Sequence, residues 1–297
     1  MCLLIALFQV VDDAPLIVAA NRDELYARPA VTMTVLRDGD GDDNGGTSGD
    51  SRRPRVLGGR DELAGGTWLA VNEHGVVAGL TNQPGGSGRD PGKKSRGELP
   101  LAFAAYRTAA EAVAAETPRL DPADYYSCWL LVGDRDTLFS VGLAGGTQPG
   151  VTQLPAGSYV LENRPLGTPT AKTARVTAMV ADERARHAAA ETGTDTTAAA
   201  ALAAVLSDHR PAVENPPGAP PAPGATGRVR PPEVSAACVH TPTYGTRSAM
   251  IVTIPVSGLP RLRVADGPPC EVPFQDVTSR WARTPRGRGQ DRDPAGR

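Results

Sequence analysis

Apolar side chains dominate the start of the chain. Leu3–Val11 is an apolar run rich in branched residues, the pattern of a strand covered on both faces. Asp12-Asp13-Ala14-Pro15 supplies turn chemistry, and Leu16–Ala20 returns as a second strand. This fold-back predicts that Asn21-Arg22-Asp23-Glu24 lies near Cys2. Thr67–Val71 and Gly75–Thr81 read as a hairpin turned at Asn72–Gly75, with the glycine left-handed. Leu99–Glu116 has helical periodicity in an alanine-rich background, and Ser127–Gly133 with Thr137–Val141 reads as another hairpin. Gly157–Glu162 is a short strand, Thr173–Ala190 and Thr196–Ser207 are helices by propensity, and Ser235–His240 and Ser248–Pro255 are strands. The order of strands, helix, strands, helices, strands predicts an α+β fold with two packed sheets and helices outside.

Polar and Gly/Pro-rich stretches interrupt this pattern. Residues 37–55 and 213–232 read as flexible insertions, and the arginine-rich segment 280–297 as a disordered tail. The expectation is one domain over residues 1–279. With 40% hydrophobic residues the chain builds a real core, and a net charge of -2 gives no electrostatic footprint for nucleic acid or acidic lipid. The apolar start lacks a positive n-region and meets Asp12 and Asp13 at once, so it is not read as a signal peptide. No run approaches the ~18 apolar residues of a membrane span, which leaves a cytoplasmic protein as the expectation.

Chemistry enters at position 2. Removal of Met1 leaves Cys2 with a thiol and a free α-amine on one residue, and such an amine serves as a local base. The other cysteines, Cys128, Cys238 and Cys270, have neither disulfide-framework nor zinc-type spacing. Cys238-Val-His240 offers two metal-ligand types on one strand without a third in view, so neither metal nor cofactor is expected.

Met-Cys at the start, ANRDE at 20–24, GGTWLAVN at 65–72, LTN at 80–82, SRGELP at 95–100, LVGD at 131–134 and YGTRS at 244–248 occur in order. This ordered set resembles the NRDE, or transport-and-Golgi-organization, family. The resemblance implies a four-layer αββα sandwich of N-terminal nucleophile (Ntn) hydrolase type, distantly similar to choloylglycine hydrolases and penicillin V acylases. It also implies Cys2 as a nucleophile toward a non-peptide C–N bond. Asn21 and Asp23 match an Arg-Asn-x-Asp segment of those hydrolases, but Ala20 stands at the arginine's place and Arg22 follows instead. Strand alternation sends Asn21 and Asp23 to one side and Arg22 to the other; the reading sets Asp23 nearest Cys2 and Arg22 second. The plainer role for Arg22 is a buried ion pair at the strand end.

Asn82 and Asn163 fall where the relatives use asparagines, one of them for the oxyanion, with Glu162 a departure just before the second. Arg247 matches a late arginine that orients the hydrolase site, and a structural turn arginine is its rival reading. Glu24, Trp68, Thr81, Tyr244 and Ser248 complete the expected substrate-binding set. The function implied is an amidohydrolase or acyltransferase acting on a small-molecule amide. The alternative is a non-catalytic carrier of haem or acyl-CoA on the same fold, since the family is linked to haem trafficking and lipid metabolism.

Overall fold

The computed structural model describes residues 2–39, 53–83, 90–189, 195–212 and 231–283. Met1, most of the predicted insertions at 37–55 and 213–232, residues 84–89 and 190–194, and the predicted tail beyond Arg283 lie outside the described residues.

Two antiparallel sheets form the centre. The first contains β1 (Cys2–Phe8), β2 (Leu16–Leu25), β10 (Gly157–Leu161), β11 (Tyr244–Ile254), β12 (Arg261–Ala265) and β13 (Gln275–Asp276), in the order β10-β1-β2-β11-β12-β13. The second contains β3 (Ala30–Asp38), β4 (Arg55–Asp61), β5 (Leu69–Asn72), β6 (Val77–Asn82), β7 (Cys128–Gly133), β8 (Leu138–Leu143) and β9 (Gly150–Gln153), paired in chain order. Helices α1 (Leu99–Phe103), α2 (Ala109–Glu116), α3 (Ala171–Ala189) and α4 (Asp195–Leu206) cover the outer faces.

Alternation along β1 explains the layering. Leu4, Ala6 and Phe8 face the second sheet and share a core with Leu57, Leu69 and Leu131. Leu3, Ile5 and Leu7 face the other way, onto Val176 and Val180 of α3 and Leu202 and Val205 of α4. Beyond the second sheet, Leu80 and Leu130 pack on Leu99, Phe103 and Val113 of α1 and α2. A strand covered on both faces reads as continuous hydrophobicity, which is why β1 was legible. The architecture is an αββα sandwich, the arrangement that the resemblance implied.

The hairpin of β5 and β6 turns as expected. Gly75 has φ +97°, and Asn72 Oδ1 accepts the N–H groups of His74 and Val76 at 3.0 Å each.

Three readings of the sequence are corrected by the structure. The helix expected over 99–116 is two helices. Between them Thr108 starts the second with a capping box, its hydroxyl and Glu111 exchanging hydrogen bonds with each other's backbone N–H. Residues 235–240 form a 3-10 turn and bends rather than a strand, and β11 begins at Tyr244. The folded chain also runs past 279. Trp281 is buried in the inter-sheet core, and its indole N–H donates to Pro260 O at 2.7 Å.

Candidate functional site

Register assembles the site. Cys2 pairs with Arg22, and Arg22 pairs with Ser248, so the three form a row across β1, β2 and β11. They share the parity of Leu4, Ala20 and Met250, and therefore the face that looks into the inter-sheet core. Arg22, not Asp23, is the residue across the ladder from the thiol, while Asp23 reaches the sulfur through its backbone N–H. Directly paired residues of antiparallel strands project to the same side.

Arg22 is 3% exposed, with its guanidinium carbon 4.6 Å from the centre of the Trp68 ring. Its Nη2 lies 3.3 Å from Asp61 Oδ2, so it takes part in an ion pair in which the arginine is buried and the carboxylate partly so. Asp61 also accepts from Arg28 Nε at 2.6 Å. Burial raises the Asp61 pKa, but Arg28, the Ala64 N–H and Arg22 outweigh it and hold the carboxyl below its ordinary value. Arg22 Nη1 is buried with no hydrogen-bond partner among the described residues. Beside this arginine, burial pushes the partly buried Cys2 thiol up. The chain's amino terminus, the Asp23 N–H and Arg22 pull it back down, while the negative charge of Asp23 adds to the rise.

Asn21 and Asp23 share the opposite face, as alternation requires. Asn21 donates both amide hydrogens, to Leu206 O at 2.9 Å and Ala237 O at 2.8 Å, and so ties β2 to α4 and the following strap. Asp23 Oδ1 accepts from Thr246 Oγ1 at 2.6 Å, and Oδ2 lies 3.6 Å from Lys172 Nζ on α3. Both partners of that ion pair are buried. Burial raises the Asp23 pKa more than Lys172, the amino terminus and Thr246 lower it.

A third wall comes from the second sheet. Asn163 Nδ2 donates to the backbone O of Asn82, and Thr81 Oγ1 donates to Glu162 O at 2.8 Å. These bonds tie the end of β6 to the chain leaving β10, which flanks β1. Asn82 Oδ1 and Asn163 Oδ1 are buried without hydrogen-bond partners among the described residues. Glu162 is buried at 8% exposure.

Other expected residues lie elsewhere. Arg247 falls at a bulge in the pairing of β11 with β2, and its exposed Nη1 bonds to carbonyls of Leu25, Tyr26 and Arg28. It serves the turn after β2, and the structure does not bring it to the thiol. Glu24 interacts with Arg28 at 3.8 Å on the same turn. The Tyr244 hydroxyl donates to Asp23 O at 2.9 Å and steadies the strand end.

Sequence reasoning missed Lys172, Asp61 and Arg96. Lys172 carried one signal, being one of three lysines in a chain that otherwise uses arginine. Arg96 is close enough for Cys2 to act on its charge; burial lowers its pKa, while Cys128, Tyr126 and Cys2 raise it. It lay inside the SRGELP motif without being singled out. The third ligand that Cys238 and His240 lack in sequence is also present in space: Cys270. A cavity of about 260 Å³ lined by Gln9, Val11, Asp12, Pro15 and Arg135 lies at the far end of β1, away from Cys2.

Comparison with known proteins gives the family and the fold. A model of the family described as Transport and Golgi organisation 2 matches residues 1–262. The Transport and Golgi organization protein 2 homolog of Bos taurus is 31% identical over 259 residues, covering 82% of this chain and 83% of that protein. Among solved structures, a cysteine-to-alanine mutant of conjugated bile acid hydrolase from Clostridium perfringens superposes with TM-score 0.51 at 11% identity, covering 94% of this chain and 93% of the other. An arginine-to-leucine variant of the same hydrolase gives 0.50 at 12%, covering 89% of each chain. These structures share the fold.

Proposed function

The chain belongs to the Transport and Golgi organisation 2 family, and from that premise we propose an N-terminal cysteine hydrolase acting on a small non-peptide amide. The observation that carries this reading is the row of Cys2, Arg22 and Ser248 at the start of β1 in an Ntn-hydrolase fold.

In this reading Met1 is removed and the α-amine of Cys2 becomes the base. The thiol, protonated at rest because burial raises its pKa, gives its proton to that amine as sulfur attacks the amide carbonyl. Arg22 stabilises the developing thiolate charge from across the ladder. The side-chain amide of Asn82 donates to the oxyanion, a contribution typically worth ~10²–10³ in rate. Asp23, balanced by Lys172, holds the α-ammonium in place. The ammonium then protonates the departing amine, leaving a thioester that water resolves with the α-amine again as base. An amine or alcohol acceptor in place of water makes the same intermediate an acyltransferase.

Intact mass and alkylation test this directly. The expected mass lacks Met1, and iodoacetamide at neutral pH reacts fastest at residue 2. Cys128 and Cys238, each pushed up to about 12 by burial, are slow internal references. A panel of N-acyl amides, conjugated bile acids among them, is then expected to release free amine with the native protein and not with Cys2→Ala. Amine release undiminished in Cys2→Ala overturns the reading. Retained Met1 together with tight binding of haemin or long-chain acyl-CoA points instead to a carrier on the same fold.

A further inference from the structure

We propose that Cys238, His240 and Cys270 form a site for a thiophilic divalent cation, zinc in the first instance, with two thiolates and one imidazole as protein ligands. The proposal is independent of any catalytic role for Cys2. The three donor atoms already form a compact triangle. Cys238 Sγ lies 3.5 Å from Cys270 Sγ and 3.6 Å from His240 Nε2, and His240 Nε2 lies 3.0 Å from Cys270 Sγ. Ligands bound to one tetrahedral zinc stand roughly 3.3–3.8 Å from one another. Small side-chain adjustments therefore suffice to place a cation against all three. Sulfur and imidazole together select a soft or borderline ion over magnesium or calcium.

The imidazole turns one ring nitrogen to the sulfurs and leaves the other near a carboxylate that a rotamer change brings into hydrogen-bond range. Its Nε2 faces the sulfurs, while Nδ1 lies 3.9 Å from Glu271 Oε1. Metal-bound histidines typically give their other ring N–H to a carboxylate, which fixes the tautomer and strengthens the ligand. Cys238 is buried and the other two ligands are partly exposed, so the fourth position opens toward solvent. His209 stands beside it, its ring edge-on to that of His240 at 6.2 Å between centroids.

The backbone holds the ligands independently of any ion. Cys238 N donates to Asp208 O at 2.9 Å. Cys270 sits on a turn where Pro268 O accepts from both Glu271 and Val272, and Ser207 Oγ donates to Pro269 O. An ion here joins the strap 237–240 to the turn after β12, and both already bond to the residues just after α4. That strap also supports the first site from behind. Ala237 O receives Asn21, and Val239 N donates to Thr246 Oγ1, the hydroxyl that bonds Asp23. The cation is thus a brace for β2, two hydrogen bonds removed from Asp23.

Cobalt(II) titration of the full-length, reduced and chelator-stripped protein tests the site. The expected result is saturation at one equivalent, with a thiolate-to-cobalt charge-transfer band and the intense visible absorption of four-coordinate cobalt. Zinc bleaches both. Cys270→Ser and His240→Ala are expected to lose these bands, and Cys2→Ala to keep them. His240→Ala, at a half-exposed position, guards against a Cys270 variant that fails to fold. No charge-transfer band in the reduced native protein overturns the proposal, as do bands that survive both variants or vanish in Cys2→Ala. A Cys238–Cys270 disulfide that persists under reductant overturns it as well.

Discussion

Arg22 sits between two groups that use it differently. Asp61 takes its charge, and Trp68 takes its flat face at 4.6 Å. Because Arg28 remains on Asp61, removing Arg22 does not strand a buried carboxylate. We expect Arg22→Ala to fold, at a cost of about 1–3 kcal/mol for lost hydrogen bonding and packing. The larger consequence is at the thiol. Arg22 favours the thiolate of Cys2 against burial, so its loss raises the pKa further. Alkylation at neutral pH then slows in proportion to the thiolate lost. Arg22→Lys keeps a charge but loses the stacked plane, and is expected to restore stability less well than reactivity. The pH–rate profile of iodoacetamide modification checks this. An unmoved midpoint in Arg22→Ala shows that the arginine does not act on the sulfur.

The platform under Arg22 depends on a strand on the other sheet. A Cβ added at Gly59 of β4 meets Trp68 Cζ2 at 2.1 Å, with the indole packed directly over the backbone. Gly59→Ala must displace the ring, an overpacking penalty of typically 1–3 kcal/mol. Urea unfolding with tryptophan fluorescence measures it, and the thiol profile is expected to move in the same direction as in Arg22→Ala. A variant with native stability and native fluorescence removes Trp68 from this role. Nothing in RVLGGR announced such a contact, because a glycine's necessity lies in what approaches it. β4 and its neighbour β3 were also unreadable as strands: β3 has an irregular, mostly half-buried pattern and borders the polar insertion. β9 is exposed at every position and offers no alternation to detect. β1 and β2 were legible because both faces are covered, and their hairpin fixed the approach of residues 21–24 to Cys2. Which of those residues faces the thiol was a matter of register, which one-residue slips invert. Lys172, Asp61, Arg96 and Cys270 arrive from remote elements, and no local pattern marks such meetings. The break before α2, by contrast, was written in the Thr108-x-x-Glu111 capping box and hidden only by the alanines around it.

Charge and the C-terminal wrap set the stability of the sandwich. Burial opposes ionisation of Asp208, but hydrogen bonds from Arg210 and Arg175 outweigh it and lower its pKa. Asp61 is lowered in the same way. A carboxyl with a lowered folded pKa adds stability that is complete above its unfolded value, near 3.8, and lost as pH falls through the folded one. Asp23 is raised and runs in the opposite sense, being relieved by protonation. The melting temperature is therefore expected to drop below about pH 4, and less steeply in Asp208→Asn, which starts lower at pH 7. An equally steep acid limb in that variant removes Asp208 from the balance. The wrap is the larger lever. The chain passes β13, makes one 3-10 turn and inserts Trp281 into the core between the sheets, with its indole N–H on Pro260 O. Arg55, buried on β4, donates to the carbonyls of Arg280 and Ala282, so this segment closes over the second sheet as well as the first. Trp281→Ala removes a large buried ring and leaves Pro260 O without that donor, at about 3–5 kcal/mol. Ending the chain at residue 279 is expected to cost at least as much. Thermal and urea unfolding of the two variants distinguish a core residue from an appendage, since native midpoints in both mean that the sandwich closes without the wrap.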